Sequence, residues 1–275
     1  MVLRLRLHTG SQVPLEVEGI TPDRLRDKSV AEIERLEIFH GNVQVCVGDF
    51  FEVSGDASDA TVHWQGDLAG VHWIGAQMAS GRMRVLGNAG RHVGSEMTGG
   101  QMVVDGDVSD WLGAEMHGGH IHVHGRAGHL VGAAYRGSAR GMTRGQILVD
   151  GDAGNEIGHT MRRGLVAIGG QVGDLVGFNM LAGTVLVLGE CGIRHGAGMR
   201  RGTLVLLGQK PPPMLPSFRY ACRSQPIALR LLVRHLMQTG FSMPDELLAA
   251  SYSMYHGDLL ESGRGEIFMR FAAAS

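Results

Sequence analysis

Apolar residues alternate with polar or small ones in short runs bounded by glycine along most of this 275-residue chain. In Gly119-His120-Ile121-His122-Val123-His124-Gly125 the apolar pair is Ile121 and Val123. The equivalent pairs are Met83/Val85, Met102/Val104, Ile147/Val149, Val166/Ile168, Val185/Val187 and Leu204/Leu206. A two-residue period is that of a β-strand with one buried face. Each run is followed by a Gly-rich bend and then by Gly-x-x-Met-x-x-Gly. The first glycine of that unit stands at Gly75, Gly94, Gly113, Gly132, Gly158, Gly177 and Gly196, in steps of 19 residues apart from one step of 26 after Gly132. Three residues later come Met78, Met97, Met116, Met161, Met180 and Met199, with Tyr135 in the remaining slot. A fixed period of this length predicts a stacked array.

Strands this short cannot hold an isolated sheet, but stacked at about 4.8 Å each pairs with its copies above and below. Glycine permits the positive φ of tight corners, and methionine is flexible enough to fill a narrow centre. The expected fold is all-β: a right-handed parallel β-helix of about nine turns over residues 41–208, roughly 40 Å tall. Met97, Met116, Met161 and Met180 are expected to stack inside it. Collagen is excluded, because 43 glycines in 275 residues fall far below one third and show no three-residue period.

The flanks differ. Residues 1–40 read as an α/β cap on the first turn. Leu3, Leu5 and Leu7 alternate with Arg4, Arg6 and His8 as in a strand. Thr21-Pro22-Asp23 reads as a helix start, and Ser29 with Glu32 as a capping box. Residues 209–275 read as a C-terminal extension that begins at Pro211-Pro212-Pro213. A helix is expected from Pro226 to Gln238, with Leu229, Leu232, Val233, Leu236 and Met237 on one face and Gly240 as its stop. A second short helix is expected after Pro244, and the chain ends through Ala272-Ala273-Ala274. The mid-strand outward column reads His63, Arg84, Val103, His122, Leu148, Ala167, Leu186 and Val205. Its second half is apolar where water is expected, so a cover is needed, supplied by the C-terminal helix or by a partner chain.

Composition narrows the function classes. An apolar content of 44% supports a core, and a net charge of −2 with no basic–aromatic interleaving argues against a nucleic-acid surface. No run of 18 apolar residues marks a membrane span, and the N-terminal alternation is not a signal peptide. Cys46, Cys191 and Cys222 form no CxxC, which fits a reducing cytoplasm and argues against a disulfide framework or a cysteine-held metal. His120, His122 and His124 share an outward face, and His63 and His129 are candidates to join them. Spacing of about 7 Å between alternate side chains is long for two ligands on one metal. The three therefore read as surface or interface imidazoles, with no metal site assigned. The glycine bends contain no GxxxxGK[ST] and read as structural. No catalytic grouping follows from spacing.

The repeated glycine unit resembles the C-terminal domain of the glutamate synthase large subunit. The flanking motifs Pro14-Leu15-Glu16, Ile20-Thr21-Pro22-Asp23, Ser29-Val30-Ala31-Glu32-Ile33, Gly41-Asn42, Leu215-Pro216-Ser217-Phe218, Gly257-Asp258 and Gly263-x-Gly265-Glu266-Ile267 are similar to the C subunit of formylmethanofuran dehydrogenase. They equally resemble the C subunit of the bacterial formyltransferase/hydrolase complex. This resemblance implies a non-catalytic structural subunit that works beside the amidohydrolase-like A subunit, the B subunit, and the formyltransferase D subunit. In such a complex a formyl group passes between tetrahydromethanopterin and a methanofuran-type carrier and leaves as formate; this chain is expected to hold neither carrier tightly. The compact chain favours the bacterial complex over the archaeal dehydrogenase, and a glutamate-synthase-type scaffold domain is the third reading.

One basic column carries the candidate site. Arg144, Arg163, Ala182 and Arg201 precede the end-of-turn glycine on four units, Arg162 and Arg200 stand beside them, and the seven-residue insertion between Tyr135 and Gly145 adds Arg136 and Arg140. Stacked like charges repel, so an anion is expected nearby. The choices are carboxylates such as Glu156 with solvent, an acidic face of a neighbouring subunit, or the glutamate-bearing tail that the resemblance implies for the carrier. Arg140, Arg144, Arg163 and Arg201 are the candidate carrier-binding or interface residues.

Overall fold

The structure is a computed structural model that describes residues 2–270. The chain is mostly β, with one large sheet, a small second sheet and few helices. The Ala272–Ala274 end of the extension lies outside the described residues.

The 19-residue period becomes a hydrogen-bonding register. Strands Thr61–Gln65, Arg82–Leu86, Gln101–Val104, His120–Val123, Gln146–Val149, Leu165–Ile168, Thr184–Val187 and Arg201–Leu206 pair in parallel, each with the next. Val62, Met83, Met102, Ile121, Ile147, Val166, Val185 and Leu204 therefore form one column of register partners. Successive units also bond at two further places. One is a line of bridges through Leu68, Ala89, Val108 and Ala127, then Ala153, Val172 and Cys191. The other lies at the bend, where Gly94, Gly113, Gly132, Gly158, Gly177 and Gly196 donate their N–H groups to Ile74, Val93, Leu112, Val131, Ile157 and Val176. Backbone polar groups buried by stacking are thus paired along the stack, which removes the cost of leaving them unsatisfied.

The centre is sulfur and aliphatic carbon. Met78, Met97, Met116, Met142, Met161, Met180 and Met199 are fully buried. Tyr135 does not hold the methionine slot that its spacing suggested. Met142 fills it, and its N–H bonds to the Gly132 carbonyl just as that of Met161 bonds to Gly158. The insertion is therefore residues 135–141, and the phenol that it carries stays outside the core, where its hydroxyl finds partners.

The parallel ladder starts at Thr61 with a step of 21 residues to Arg82, and its 19-residue steps begin there. Residues 43–54, expected inside it, are instead a strand Val43–Cys46 in the small sheet, a helical turn Val47–Phe50, and a strand Phe51–Ser54 antiparallel to Leu3–Leu7. Leu3–Leu7 pairs in parallel with Thr61–Gln65 on its other edge. Pro22–Leu25 and Val30–Glu34 are short helices, and Ser29 and Glu32 close a capping box. At the far end the chain returns after Leu206, and Arg264–Arg270 pairs in parallel with Arg201–Leu206, with Gly265 opposite Gly202 and Ile267 opposite Leu204. Gly263-x-Gly265 is therefore part of one more rung. Tyr252–Gly257 and then Arg219–Ser224 continue the sheet antiparallel.

The outer column follows the polar-to-apolar switch in the sequence. Leu148, Ala167, Leu186 and Val205 are fully or almost fully buried beneath Leu229, Val233 and Leu236 of helix Ile227–Gln238, with Phe241, Met243 and Leu247. Gly240, at φ +84°, ends that helix, and a 3-10 turn follows at Asp245–Leu248. Gln146 on the ladder accepts a hydrogen bond from His235 on the helix (3.0 Å), which requires the hydrogen on Nε2. Cys46, Cys191 and Cys222 are unbridged.

Replacing Met161 by Ala should cost about 2–5 kcal/mol in urea unfolding, the range for truncating a buried methionine. The exposed Arg136→Ala should cost less than about 0.5 kcal/mol. Equal losses for the two would mean that the methionine column does not carry the core.

Candidate functional site

The four candidate arginines do not form one patch. Arg144 and Arg163 lie on adjacent units, two residues before Gln146 and Leu165, and share a concavity with His117, Thr143 and Arg162. On their other side they line a recess of about 470 Å³ with His120, Gln146 and His235. Arg140 lines a separate recess of about 500 Å³ with Thr160, Asn179, Arg200 and Glu261. Arg201 begins the last strand of the repeat, with Arg264 as its register partner. Ala182 separates it from Arg163 by one unit. Arg200 is paired with Glu261 (3.2 Å). Glu156 hydrogen-bonds to His159 (2.8 Å) and so does not neutralise the arginines. Among the described residues Arg144, Arg162 and Arg163 have no ion-pair partner. Three exposed guanidinium groups on two neighbouring units present a positive surface that an anion would stabilise.

The histidine strand is tighter than alternation alone suggests. The strand ends at Val123, so His124 is free of the strict alternation and its ring centroid lies 4.4 Å from that of His122. Asp150, just past the end of the next strand, holds both. One carboxylate oxygen bonds to His122 Nε2 (2.9 Å) and the other to His124 Nδ1 (2.7 Å). The parallel register Val123↔Val149 places residues 124 and 150 side by side, a signal present in the sequence once the insertion is counted. His120 stands at 6.3 Å from His122 and lines the arginine recess instead. Burial, then the His122 and His235 charges, lower its pKa. The other two candidates do not join. His63 sits three rungs away, and His129 accepts the Asn155 N–H at a bend.

A further group has no counterpart among the candidates read from sequence. Trp73, His92 and Trp111 are spaced by 19 and stack on successive bends, with centroids at 4.2 Å and 6.2 Å. All three have left-handed backbone, with φ of 64°, 63° and 67°. Tyr135 leans on Trp111 (4.8 Å) and donates to Ser95 Oγ (2.8 Å), while His92 Nδ1 lies 2.9 Å from the phenol oxygen. With the phenol hydrogen given to Ser95, His92 must carry its hydrogen on Nδ1. Burial lowers the His92 pKa to about 4, helped by His72 and Arg91 against Asp110, and burial raises Tyr135 to about 12. This is a neutral, interlocked wall without a free nucleophile. The 19-residue recurrence of aromatic rings was the available signal.

Comparisons with known proteins now bear on the chain. No family model matches it. The C subunit of the tungsten-containing formylmethanofuran dehydrogenase 2 of Methanothermobacter wolfeii is 42% identical over 86 residues, 30% of this chain and 32% of that protein. The C subunit of the molybdenum-containing formylmethanofuran dehydrogenase 1 of Methanosarcina barkeri is 36% identical over 85 residues, 30% of this chain and 28% of its own. The match thus spans about a third of those curated relatives. A chain in the crystal structure of the formyltransferase/hydrolase complex from Methylorubrum extorquens, in complex with methylofuran, superposes with a TM-score of 0.90 and 30% identity, covering 98% of this chain and 100% of that one. The chain belongs to the C-subunit family of formylmethanofuran dehydrogenases and formyltransferase/hydrolase complexes. No helix among the described residues is long and apolar enough to cross a membrane.

Because His92 titrates lower when folded than unfolded, the unfolded chain binds more protons between pH about 6.5 and about 4. The stability it contributes is complete above pH 6.5 and is lost as pH falls toward 4. In urea titrations from about pH 7 to about pH 4, His92→Gln should therefore show a shallower loss of stability than the parent. Parallel pH profiles would remove His92 as a cause.

Proposed function

We propose that this chain is a non-catalytic structural subunit of a multi-subunit formyltransferase/hydrolase complex. That complex passes a formyl group between tetrahydromethanopterin and a methanofuran-type carrier and releases formate in the cytoplasm. The observation that carries this reading is the end-to-end likeness to a chain of a formyltransferase/hydrolase complex that holds methylofuran. The stacked units fit a right-handed parallel β-helix, whose walls offer partners long rigid faces. The partners in this reading are the amidohydrolase-like A subunit, the B subunit, and the formyltransferase D subunit, which carry the chemistry; this chain binds neither carrier tightly. Arg144, Arg162 and Arg163 then meet carboxylates, either on the carrier's tail or on a partner's acidic face, and Arg140 and Arg201 lie at separate contacts with partners.

The second reading is the C subunit of an archaeal formylmethanofuran dehydrogenase, supported by the higher identity of 42% within one 86-residue stretch. Full-length coverage favours the first.

Affinity purification of the tagged chain from its source cell should bring down amidohydrolase-like and formyltransferase chains, whereas a co-purifying redox subunit would favour the second reading. The isolated chain should neither hydrolyse nor transfer a formyl group. Robust turnover by the verified-pure chain would defeat the structural reading.

The arginine surface has its own test. Arg144→Gln with Arg163→Gln should keep thermal stability within about 1 kcal/mol, as exposed charges do. It should weaken assembly or turnover of the complex, and more so at low salt, where the lost attraction is least screened. Parent-like assembly and turnover at every salt concentration would make these arginines ordinary solvated surface.

A further inference from the structure

We propose that His122, His124 and Asp150 form a binding site for one divalent cation of the zinc class, with a fourth position open to water or to a donor from another chain. One ring nitrogen of each histidine and one Asp150 carboxylate oxygen all lie within 4.8 Å of one another. Two imidazoles and one carboxylate are a donor set that zinc takes with an open position, and they suit other borderline cations such as cobalt(II) and nickel(II).

The geometry needs side-chain movement only. A tetrahedral zinc with ligands at about 2.0–2.2 Å holds its donors roughly 3.3 Å apart. His122 Nε2 lies 2.9 Å from one Asp150 oxygen and His124 Nδ1 lies 2.7 Å from the other, so the carboxylate turns to give one oxygen to the cation and the donors close from separations within 4.8 Å. The hydrogens that now lie between nitrogen and oxygen move to His122 Nδ1 and His124 Nε2, so neutral imidazoles lose no net proton. An imidazolium would release one, and binding weakens with acid accordingly.

The surroundings hold one ligand and admit the ion to the others. His122 is 8% exposed, in a column whose next four members are Leu148, Ala167, Leu186 and Val205. It lies at the margin of the C-terminal cover, with the Phe241 ring 6.5 Å away. A polar ring at the edge of an apolar layer is fixed in orientation by its packing, which is the preorganisation that a ligand requires. His124 and Asp150 keep side-chain exposures of 44% and 33%, so the cation has a path from solvent. Asp105, one rung before His124 in the same column, is engaged by Arg84 and stays out of the set. The ion would clip two successive rungs beside the edge of the cover. This site rests on the chain's own geometry and is independent of the family reading.

The test uses the full chain, stripped with a chelator and titrated with cobalt(II) and then zinc. One equivalent of cobalt should bind with the visible absorption of a four-coordinate site, and zinc should displace it. His124→Ala and Asp150→Asn alter partly exposed side chains, and circular dichroism checks that both fold. Each should weaken affinity by at least the roughly 10–100-fold that loss of even an outer-shell partner costs. His120→Ala and His117→Ala, outside the ligand set, should bind like the parent. The proposal is overturned if no saturable one-equivalent binding occurs, if the folded His124→Ala variant binds like the parent, or if His117→Ala abolishes binding while Asp150→Asn does not.

Discussion

The methionine methyl of one unit occupies the space above a glycine of the next, and the regularity of the array depends on that contact. A Cβ at Gly119, Gly145, Gly164 or Gly183 would sit 2.7, 2.9, 2.7 or 3.0 Å from the methyl of Met97, Met116, Met142 or Met161. The same glycines hold φ between +89° and +114°. Two independent demands fall on one position, one steric and one conformational, and glycine alone meets both without strain. Because the sulfur side chain and the glycine come from neighbouring units, the contact also sets the register. A slipped strand would bring a side chain under a methyl group. At the far end Gly265 again leaves room for a methionine, here the Cγ and Sδ of Met199, and so a strand from about 60 residues further along the chain is accepted as another rung.

This contact explains what the sequence reveals and what it conceals. The glycine and methionine columns and the alternating strand pairs are visible because each demand recurs every 19 residues. Tyr135 satisfied the count without satisfying the packing. Its hydroxyl needs a partner, and Met142, seven residues on, offers the apolar arm that the centre requires. Residues 43–54 and the returning strand were hidden for a different reason. Antiparallel partners at the ends carry no repeat, and pairing between residues 201–206 and 264–269 leaves no mark in local pattern.

The surfaces were partly legible. The switch from polar to apolar in the outward column was plain, and the structure lays the C-terminal helix over its apolar half. The basic residues before the end-of-turn glycines were plain too, yet their grouping depended on which units are adjacent, and Ala182 separates Arg201 from the rest. Asp150 could not be joined to His122 and His124 until the position of the insertion was known. Side chains that meet across units are brought together by register, and the register passes through the one irregular step.

The returning strand also bears on the order in which the molecule comes apart. Most rungs are closed by segments of 19 residues, whereas Arg264–Arg270 closes one some 60 residues long. By the logarithmic dependence of closure entropy on length, that rung costs roughly 1 kcal/mol more to close. Its sheet continues into Arg219–Ser224, an edge exposed along most of its length. The cheapest opening of the native state is thus release of the tail, which bares Leu148, Ala167, Leu186, Val205 and the end of the stack at Met199, while the methionines of the earlier units stay shut. In amide exchange the chain would behave as a rigid rod with a slower-closing flap.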